Sequence, residues 1–433
     1  MERMIANERP ALADSLWIAT AHPAPPRPAL RRHLEADTVV VGAGFTGLSA
    51  ALHLAEAGQR VVVLDAESPG WGASGRNGGQ VNPGLKPDPE VLVAKFGADL
   101  GGRMVSRWGG GGDLVFDLIA RHRIDCDPRR VGFLRAAVTP RTLAALRETG
   151  RQWRAKGADV PPVEADEMAR MIGADAFLGG IIDRRGGNLH PLNFALGLAA
   201  AAERAGAVIH GQSRVREISP EGGAIVARTE AGSVTARRAI LATNAYTQDL
   251  ADPLGRTLVP VTSVQVATAP LSQNILSSIL PENHAPTDTR RLITYFRKTT
   301  DGRFVIGGRG ALGEASTRRR QQALRDVAVT LFPQLGDARW AHAWGGSAAM
   351  TRSGLPGLHL LAPNVMAGLS FNGRGVASAT VMGTILADWA RGMPLEALDY
   401  PVTAAQPIPF HRFRQVGVGA TVAALRMLDR LRL

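Results

Sequence analysis

The run Gly42-Ala43-Gly44-Phe45-Thr46-Gly47 constrains this chain more than any other stretch, because it is G-x-G-x-x-G set between a β-branched run and a helical one. Val39-Val40-Val41 has the character of a strand buried on both faces. Phe45, Leu48, Leu52 and Ala55 then recur at spacings of three and four, Gly58 stops the pattern, and Val61-Val62-Val63-Leu64-Asp65 supplies a second strand. The result is a complete βαβ unit. In such a unit the first glycine makes a tight turn, the second lets backbone approach a pyrophosphate, and the third lets helix and strand pack closely. Amides starting near Phe45 face the phosphates with the positive end of the helix dipole. Asp65 stands near the ~20-residue offset at which an acid receives ribose hydroxyls. Gly42, Gly44, Phe45, Thr46, Gly47 and Asp65 therefore form an expected dinucleotide site.

A chain of 433 residues, 45% hydrophobic and 20% charged, can bury a large core and predicts two intimately joined domains. After the βαβ unit the pattern continues with a helix near 192–205, strands near 208–210, 224–229 and 239–242, and a last helix over 376–389. Strand-like runs at 132–137, 259–267, 292–296 and 303–307, with a helix near 141–156, have a different character. The expected fold class is α/β with an α+β second domain: a Rossmann-like domain of 36–85, 186–250 and 345–395, and an inserted, mainly antiparallel domain of 86–185 and 251–344. Residues 396–433 form a tail whose basic and apolar positions after His411 suit an amphipathic helix, packed on the protein or touching an anionic membrane surface. Gly109-Gly110-Gly111-Gly112 interrupts helical periodicity and predicts a broken helix rather than a domain boundary.

The net charge of +12 comes from arginines scattered along the chain, without the clustered stripe and interleaved aromatics of a nucleic-acid groove. No nucleic-acid partner is expected. The single Cys126, between Asp125 and Asp127, predicts an inert thiol and a reducing, cytoplasmic setting. Ten histidines without ligand spacing and one cysteine predict no metal site. The glycines and polar residues within 39–57 argue against a membrane span there.

Two further glycine-rich segments narrow the cofactor. One runs Gly70-Trp71-Gly72-Ala73-Ser74-Gly75-Arg76-Asn77-Gly78-Gly79-Gln80; the other, Gly368-Leu369-Ser370-Phe371-Asn372-Gly373-Arg374-Gly375-Val376, opens the final helix. Glycines let backbone press on a flat ring, and a helix N-terminus stabilises the negative charge of a reduced flavin. With these segments, Ser15-Leu16-Trp17, Gly187-Asn188-Leu189-His190-Pro191, Ala242-Thr243-Asn244-Ala245-Tyr246, Tyr295-Phe296-Arg297 and Trp344-Gly345-Gly346, the chain resembles the D-amino acid oxidase superfamily, in its gamma-glutamylputrescine oxidoreductase-like branch. The resemblance implies FAD and a substrate domain over one flavin face. It also implies cofactor contacts at Ala73, Ser74, Arg76, Asn77, Gly78, Gly79, Gln80, Val215, Thr243, Asn244, Gly368, Asn372, Gly373, Arg374, Gly375 and Val376. FAD is expected to be non-covalent, because the His or Cys that attaches it in some relatives is missing at the matching segments.

On a strand, Tyr295 and Arg297 would share one side, the candidate substrate side. Trp344 and His190 complete the candidate catalytic set, and His342 is a further lining candidate. The expected chemistry is amine oxidation by hydride transfer to flavin N5, an imine that hydrolyses, and reoxidation by O2. A quinone or carrier-protein acceptor, and a non-catalytic FAD-binding subunit, are the competing readings. Relatives that oxidise simple α-amino acids carry an Arg ahead of the stretch matching Thr351-Arg352-Ser353-Gly354-Leu355-Pro356, where this chain has Ser347-Ala348-Ala349, so a substrate without an α-carboxylate is expected.

Overall fold

The computed structural model describes residues 15–247, 250–310, 314–414 and 416–421. The strand His33–Val41 lies between Val61–Leu64 and Ser233–Leu241, pairing parallel with both. Val365–Leu369 and Val208–His210 extend the parallel sheet on either side. Alternation along these strands explains the valine run: Val40, Val61 and Val63 enter one core, Val39, Val41, Val62 and Leu64 the other. The first core is filled by the helices Phe45–Glu56, Pro191–Arg204 and Gly375–Ala390. The opposite face is partly covered by the antiparallel strands Glu217–Glu221 and Ala224–Arg228.

A second sheet of eight strands includes Phe133–Ala136, Val259–Thr268, Thr294–Lys298, Phe304–Arg309 and Trp340–Met350. Its pairs are antiparallel apart from Thr287–Asp288 against Phe133–Ala136. One face buries Val264, Val266, Phe296, Phe304 and Ile306 against Leu324, Ala328 and Phe332. The other faces the first sheet.

Two boundaries differ from the expected ones. Trp340–Met350 is one continuous strand paired along Val259–Thr268, so the second sheet extends past 345. The expected broken helix is broken twice, into Pro89–Phe96, Ala98–Gly109 and Gly111–His122, and its Leu92, Met104, Trp108, Val115 and Phe116 join the core that holds the first domain's helices, a core that also takes in Leu146, Trp153 and Ile181. The first break is at Gly97, with φ +80°. At the second, the glycines allow close packing: a Cβ on Gly111 would meet Val381 at 3.1 Å, and one on Gly112 the Arg185 carbonyl oxygen at 2.2 Å. In the tail, residues 416–421 are helical, whereas Val422, Leu425, Leu428 and Leu431 lie outside the described residues. Among the described residues no helix is long and apolar enough to cross a membrane, and no group of three or more His, Cys, Asp or Glu could hold a metal.

Gly112→Ala should therefore destabilise the protein by ~1–3 kcal/mol, the typical cost of overpacking. Gly102, inside Ala98–Gly109 with nothing within 4 Å of its Cβ position, is the control. Gly102→Ala should stabilise by up to ~1 kcal/mol. Urea unfolding of both variants measures the difference, and equal midpoints would remove the packing explanation.

Candidate active site

The first glycine turn is closed by its own surroundings. Gly42 has φ +105° and lies on the Ala242 carbonyl, where a Cβ would come within 2.9 Å. A Cβ on Gly47 would be 1.9 Å from the Gly42 carbonyl oxygen, which is how closely the helix lies on the strand end. Asp65 accepts from the Ala43 amide at 2.6 Å and the Glu67 amide at 2.8 Å, so the acid that ends the second strand holds the turn itself. Burial pushes its carboxyl above the usual range. Ser74 accepts from the Phe45 amide at 3.0 Å, joining the second glycine segment to the helix start. Val215 is buried among Leu30, Leu64 and Ile225 on the far side of the sheet.

The Ala73–Gln80 segment is pinned from several directions. Within it, the Asn77 amide donates to the Ala73 and Ser74 carbonyls, and Asn77 accepts from the Gly79 amide at 2.7 Å. From outside, Trp17 donates to the Asn77 carbonyl at 2.8 Å, and both Gln265 and Trp344 donate to the Arg76 carbonyl, at 2.5 and 3.1 Å. Arg76 lies over the Trp71 ring, 4.4 Å from its centroid, and Trp71 meets Tyr246 edge-on. Gln80 donates to the Ala285 carbonyl at 2.6 Å, tying the segment to the second sheet.

The closing turn adopts an unusual backbone. Ser370, Asn372 and Gly373 all have positive φ, a conformation that non-glycine residues adopt at a cost and that clusters at functional sites. Asn244 accepts from the Ser370 amide at 2.9 Å, Asn372 accepts from Thr351 at 3.0 Å, and Asn372 donates to the Ser370 carbonyl. Thr243 bonds Thr247 at 2.7 Å, holding the strand end from which Asn244 reaches the turn. Gly368 packs under Met382 and Leu386. Val376 is buried, yet the Cβ positions of Gly373 and Gly375 meet nothing within 4 Å. Arg374 donates to the Pro83 carbonyl at 3.0 Å, and burial followed by the nearby Arg135 lowers its pKa to about 9.

Tyr295 and Arg297 do share one side of their strand, with Phe296 buried on the other. The Tyr295 ring is held between Gly78 and Gly307, where Cβ atoms would fall 2.9 and 2.3 Å from it, and its hydroxyl bonds Ser263 at 2.8 Å. Burial pushes this phenol up to about 12. Arg297 donates to the Leu189 carbonyl at 2.5 Å and the Gly78 carbonyl at 3.3 Å, and its guanidinium lies over Trp17. Trp344 packs edge-on against Trp17. His190 caps the helix Pro191–Arg204 by accepting from the Asn193 amide, and its other ring nitrogen bonds Thr20 at 3.0 Å. Burial, reinforced by Arg297, lowers it to about 3, so it is a neutral structural group. His342 sits half-buried toward the outer end of its strand. Cys126 is pushed up to about 12 by burial, with Asp127 and Asp125 adding to the effect.

Three polar atoms beside these segments, Trp71 Nε1, Gln265 Oε1 and Ser370 Oγ, are buried without a hydrogen-bond partner. Buried donors and acceptors are normally satisfied, so each of these atoms fits a polar group bound beside its segment. The open Gly373 and Gly375 positions fit a flat one. Gln265 gives no local sequence signal as a site residue, since its partner carbonyl at Arg76 lies 189 residues away, whereas Trp17 and Trp71 stand within the segments that carry the resemblance.

A dinucleotide turn on a parallel sheet, with an antiparallel sheet facing it across a glycine-rich segment, defines a two-domain flavin-binding oxidoreductase. The DAO family of FAD dependent oxidoreductases matches residues 37–389, and the chain belongs to it. It is 34% identical over 381 residues to the gamma-glutamylputrescine oxidoreductase of Escherichia coli (strain K12), covering 88% of this chain and 89% of that protein. The probable oxidoreductase OrdL of Haemophilus influenzae is 31% identical, covering 83% and 84% of the two chains. Among solved structures, glycine oxidase from Geobacillus kaustophilus shares the fold with a TM-score of 0.69 at 21% identity, covering 84% of this chain and 96% of that one.

Gly44→Val should yield protein without flavin, because the side chain would drive into Ser74, 2.9 Å from the Cβ position, and close the turn. The flavin-to-protein absorbance ratio measures this, and full occupancy would refute the site. A second expectation concerns pH. His190 binds a proton in the unfolded chain below about 6.5 but in the folded protein only near 3, so its contribution to stability falls as pH drops through that window. The slope is at most ~1.4 kcal/mol per pH unit. His190→Asn keeps a capping acceptor, and urea melts at pH 7 and 4.5 should show a smaller loss than the wild type.

Proposed function

We propose that this FAD-dependent oxidoreductase oxidises an amine at the carbon beside its nitrogen, giving an imine that hydrolyses, with O2 as the final acceptor. The observation that carries the choice of substrate is the inner face of Trp340–Met350. Gly346, on the side of Trp344, lies 3.1 Å by its Cβ position from Arg76, and Ala348 follows on the same face. The strand itself carries no guanidinium at 347–349 to clamp an α-carboxylate, and Arg76, which packs on Gly346, donates its Nε to the Trp71 carbonyl and lies over the Trp71 ring. A carboxylate buried beside the cofactor without such a partner would cost several kcal/mol. The similarity to a gamma-glutamylputrescine oxidoreductase points the same way, toward an alkylamine whose carboxylate is remote.

FAD, when bound, accepts the two electrons and the hydrogen leaving the amine carbon. On this reading Gly42, Gly44 and Gly47 take its pyrophosphate, Asp65 supports that turn and can meet the ribose, and residues 73–80 and 368–376 enclose the ring. No covalent attachment residue is assigned. Tyr295, protonated at neutral pH, fixes one wall through Ser263. Arg297, Trp344 and His190 act as positioning residues, since their polar atoms are committed to protein partners. Chemistry of this kind needs a neutral amine, a dry pocket and alignment more than a base.

Anaerobic mixing with a panel of amines tests the reading. A γ-glutamylated diamine or simple alkylamine should bleach the flavin faster than glycine, sarcosine or D-alanine. A tenfold advantage of sarcosine or D-alanine in kcat/KM, about 1.4 kcal/mol in transition-state binding, would reverse the assignment. Reoxidation by dyes but not by O2 would replace oxygen with another acceptor. Acid precipitation should leave the flavin in solution.

A further inference from the structure

We propose that Lys86 and Arg309 form a carboxylate-binding subsite at the edge of the active site, taking an acid group that the substrate carries away from its reacting amine. The inference rests on the amine reading and assigns the part of the substrate that reading leaves without a partner.

The register of the second sheet places Arg309. It stands opposite Ser263, and Ser263 stands opposite Gly346, so the three form one row across neighbouring strands. Residues in such a row project to the same face. Ser263 identifies that face by its bond to the Tyr295 hydroxyl, and Gly346 by its approach to Arg76. Arg309 is thus the end member of a row whose other members line the cofactor segment. Its side chain is half-buried.

Lys86 reaches the same region from another element. The carbonyls of Pro83 and Gly84 accept from Arg374, which fixes the loop against the start of the closing helix. The Lys86 stem runs beside Gly354, whose Cβ position is 3.9 Å from Lys86 Cδ, in the stretch that follows the inner strand. The Lys86 ammonium lies within electrostatic reach of both Arg309 and Arg374, and after burial these two charges are what lower its pKa. Arg309 is lowered by burial, and neither cation has an acid beside it among the described residues.

Other partly buried arginines of this chain are paired with acids. Arg27 meets Glu203, Arg107 meets Asp388 and Arg185 meets Asp183. A partly desolvated Lys–Arg pair without a counter-ion repels itself, and an anion placed between the two relieves the repulsion and the lost hydration together. A guanidinium offers a carboxylate two parallel N–H donors, and an ammonium adds a point charge. The pyrophosphate of FAD is assigned to the glycine turn on the other sheet, so the anion is left to the substrate.

The test uses flavin-loaded wild type, Arg309→Gln and Lys86→Gln, with glutarate as a probe that cannot turn over. Calorimetric titration should show glutarate binding to the wild type and at least tenfold weaker binding to each variant, with flavin content and melting temperature retained. In steady state, the preference in kcat/KM for a γ-glutamylated diamine over the free diamine should fall at least tenfold in both. Glutarate affinity within twofold of wild type in both variants overturns the subsite, and so does an unmoved preference. Arg309-dependent glutarate binding in a protein bleached by no amine would keep the subsite and overturn the amine reading.

Discussion

One carbonyl, that of Arg76, accepts from the Gln265 amide and the Trp344 indole at once, and the adjoining Gly78 carbonyl takes part of the Arg297 guanidinium. All three donors stand on the inner face of the second sheet, whereas Arg76 and Gly78 belong to the segment that leaves the first. The two sheets are therefore joined at the backbone of the segment proposed to lie along the cofactor. Charge-assisted and buried bonds of this kind are stronger than exposed ones, and losing one partner leaves a buried carbonyl unsatisfied. Glycine at 78 and 79 is required by the same packing: a Cβ on Gly79 would fall 2.0 Å from the Leu189 carbonyl oxygen. The segment is glycine-rich because it is gripped on both sides.

That grip explains which parts of the site were legible in the residues alone. The βαβ unit announces itself locally, since Val39 to Asp65 carries strand, turn, helix and acid within one short stretch, and the valines alternate between two cores as a doubly covered strand must. Tyr295 and Arg297 share a face because strand periodicity is local too. The role of Trp344 is set by a partner 268 residues away, and that of His190 by Asn193 beside it together with Thr20, 170 residues away, a distance that no spacing rule reaches. A histidine in this setting reads as a hydrogen-bonded structural group or as a catalytic one. Only the Asn193 amide and the Thr20 hydroxyl distinguish them. The glycine run at 109–112 likewise becomes intelligible only when the closing helix and the Arg185 carbonyl arrive against it.

The arginine excess divides along the same line between surface and interior. Exposed pairs such as Arg151 with Glu148 and Glu90 are screened by water and contribute little each. Arg297 and Arg374 are different, because both are removed from water and both spend their donors on carbonyls of segments that face the site. Burial lowers the pKa of each, yet both stay charged at neutral pH, Arg297 near 10 and Arg374 near 9. On the amine reading proposed above, these two cations would favour an electron-rich reduced ring beside them. They would also disfavour a further cation, so an amine brought beside them would be held toward its neutral form, the form from which a C–H bond beside nitrogen can be oxidised. On that reading the arginines that hold the segments in place would bear on the protonation state of the substrate as well.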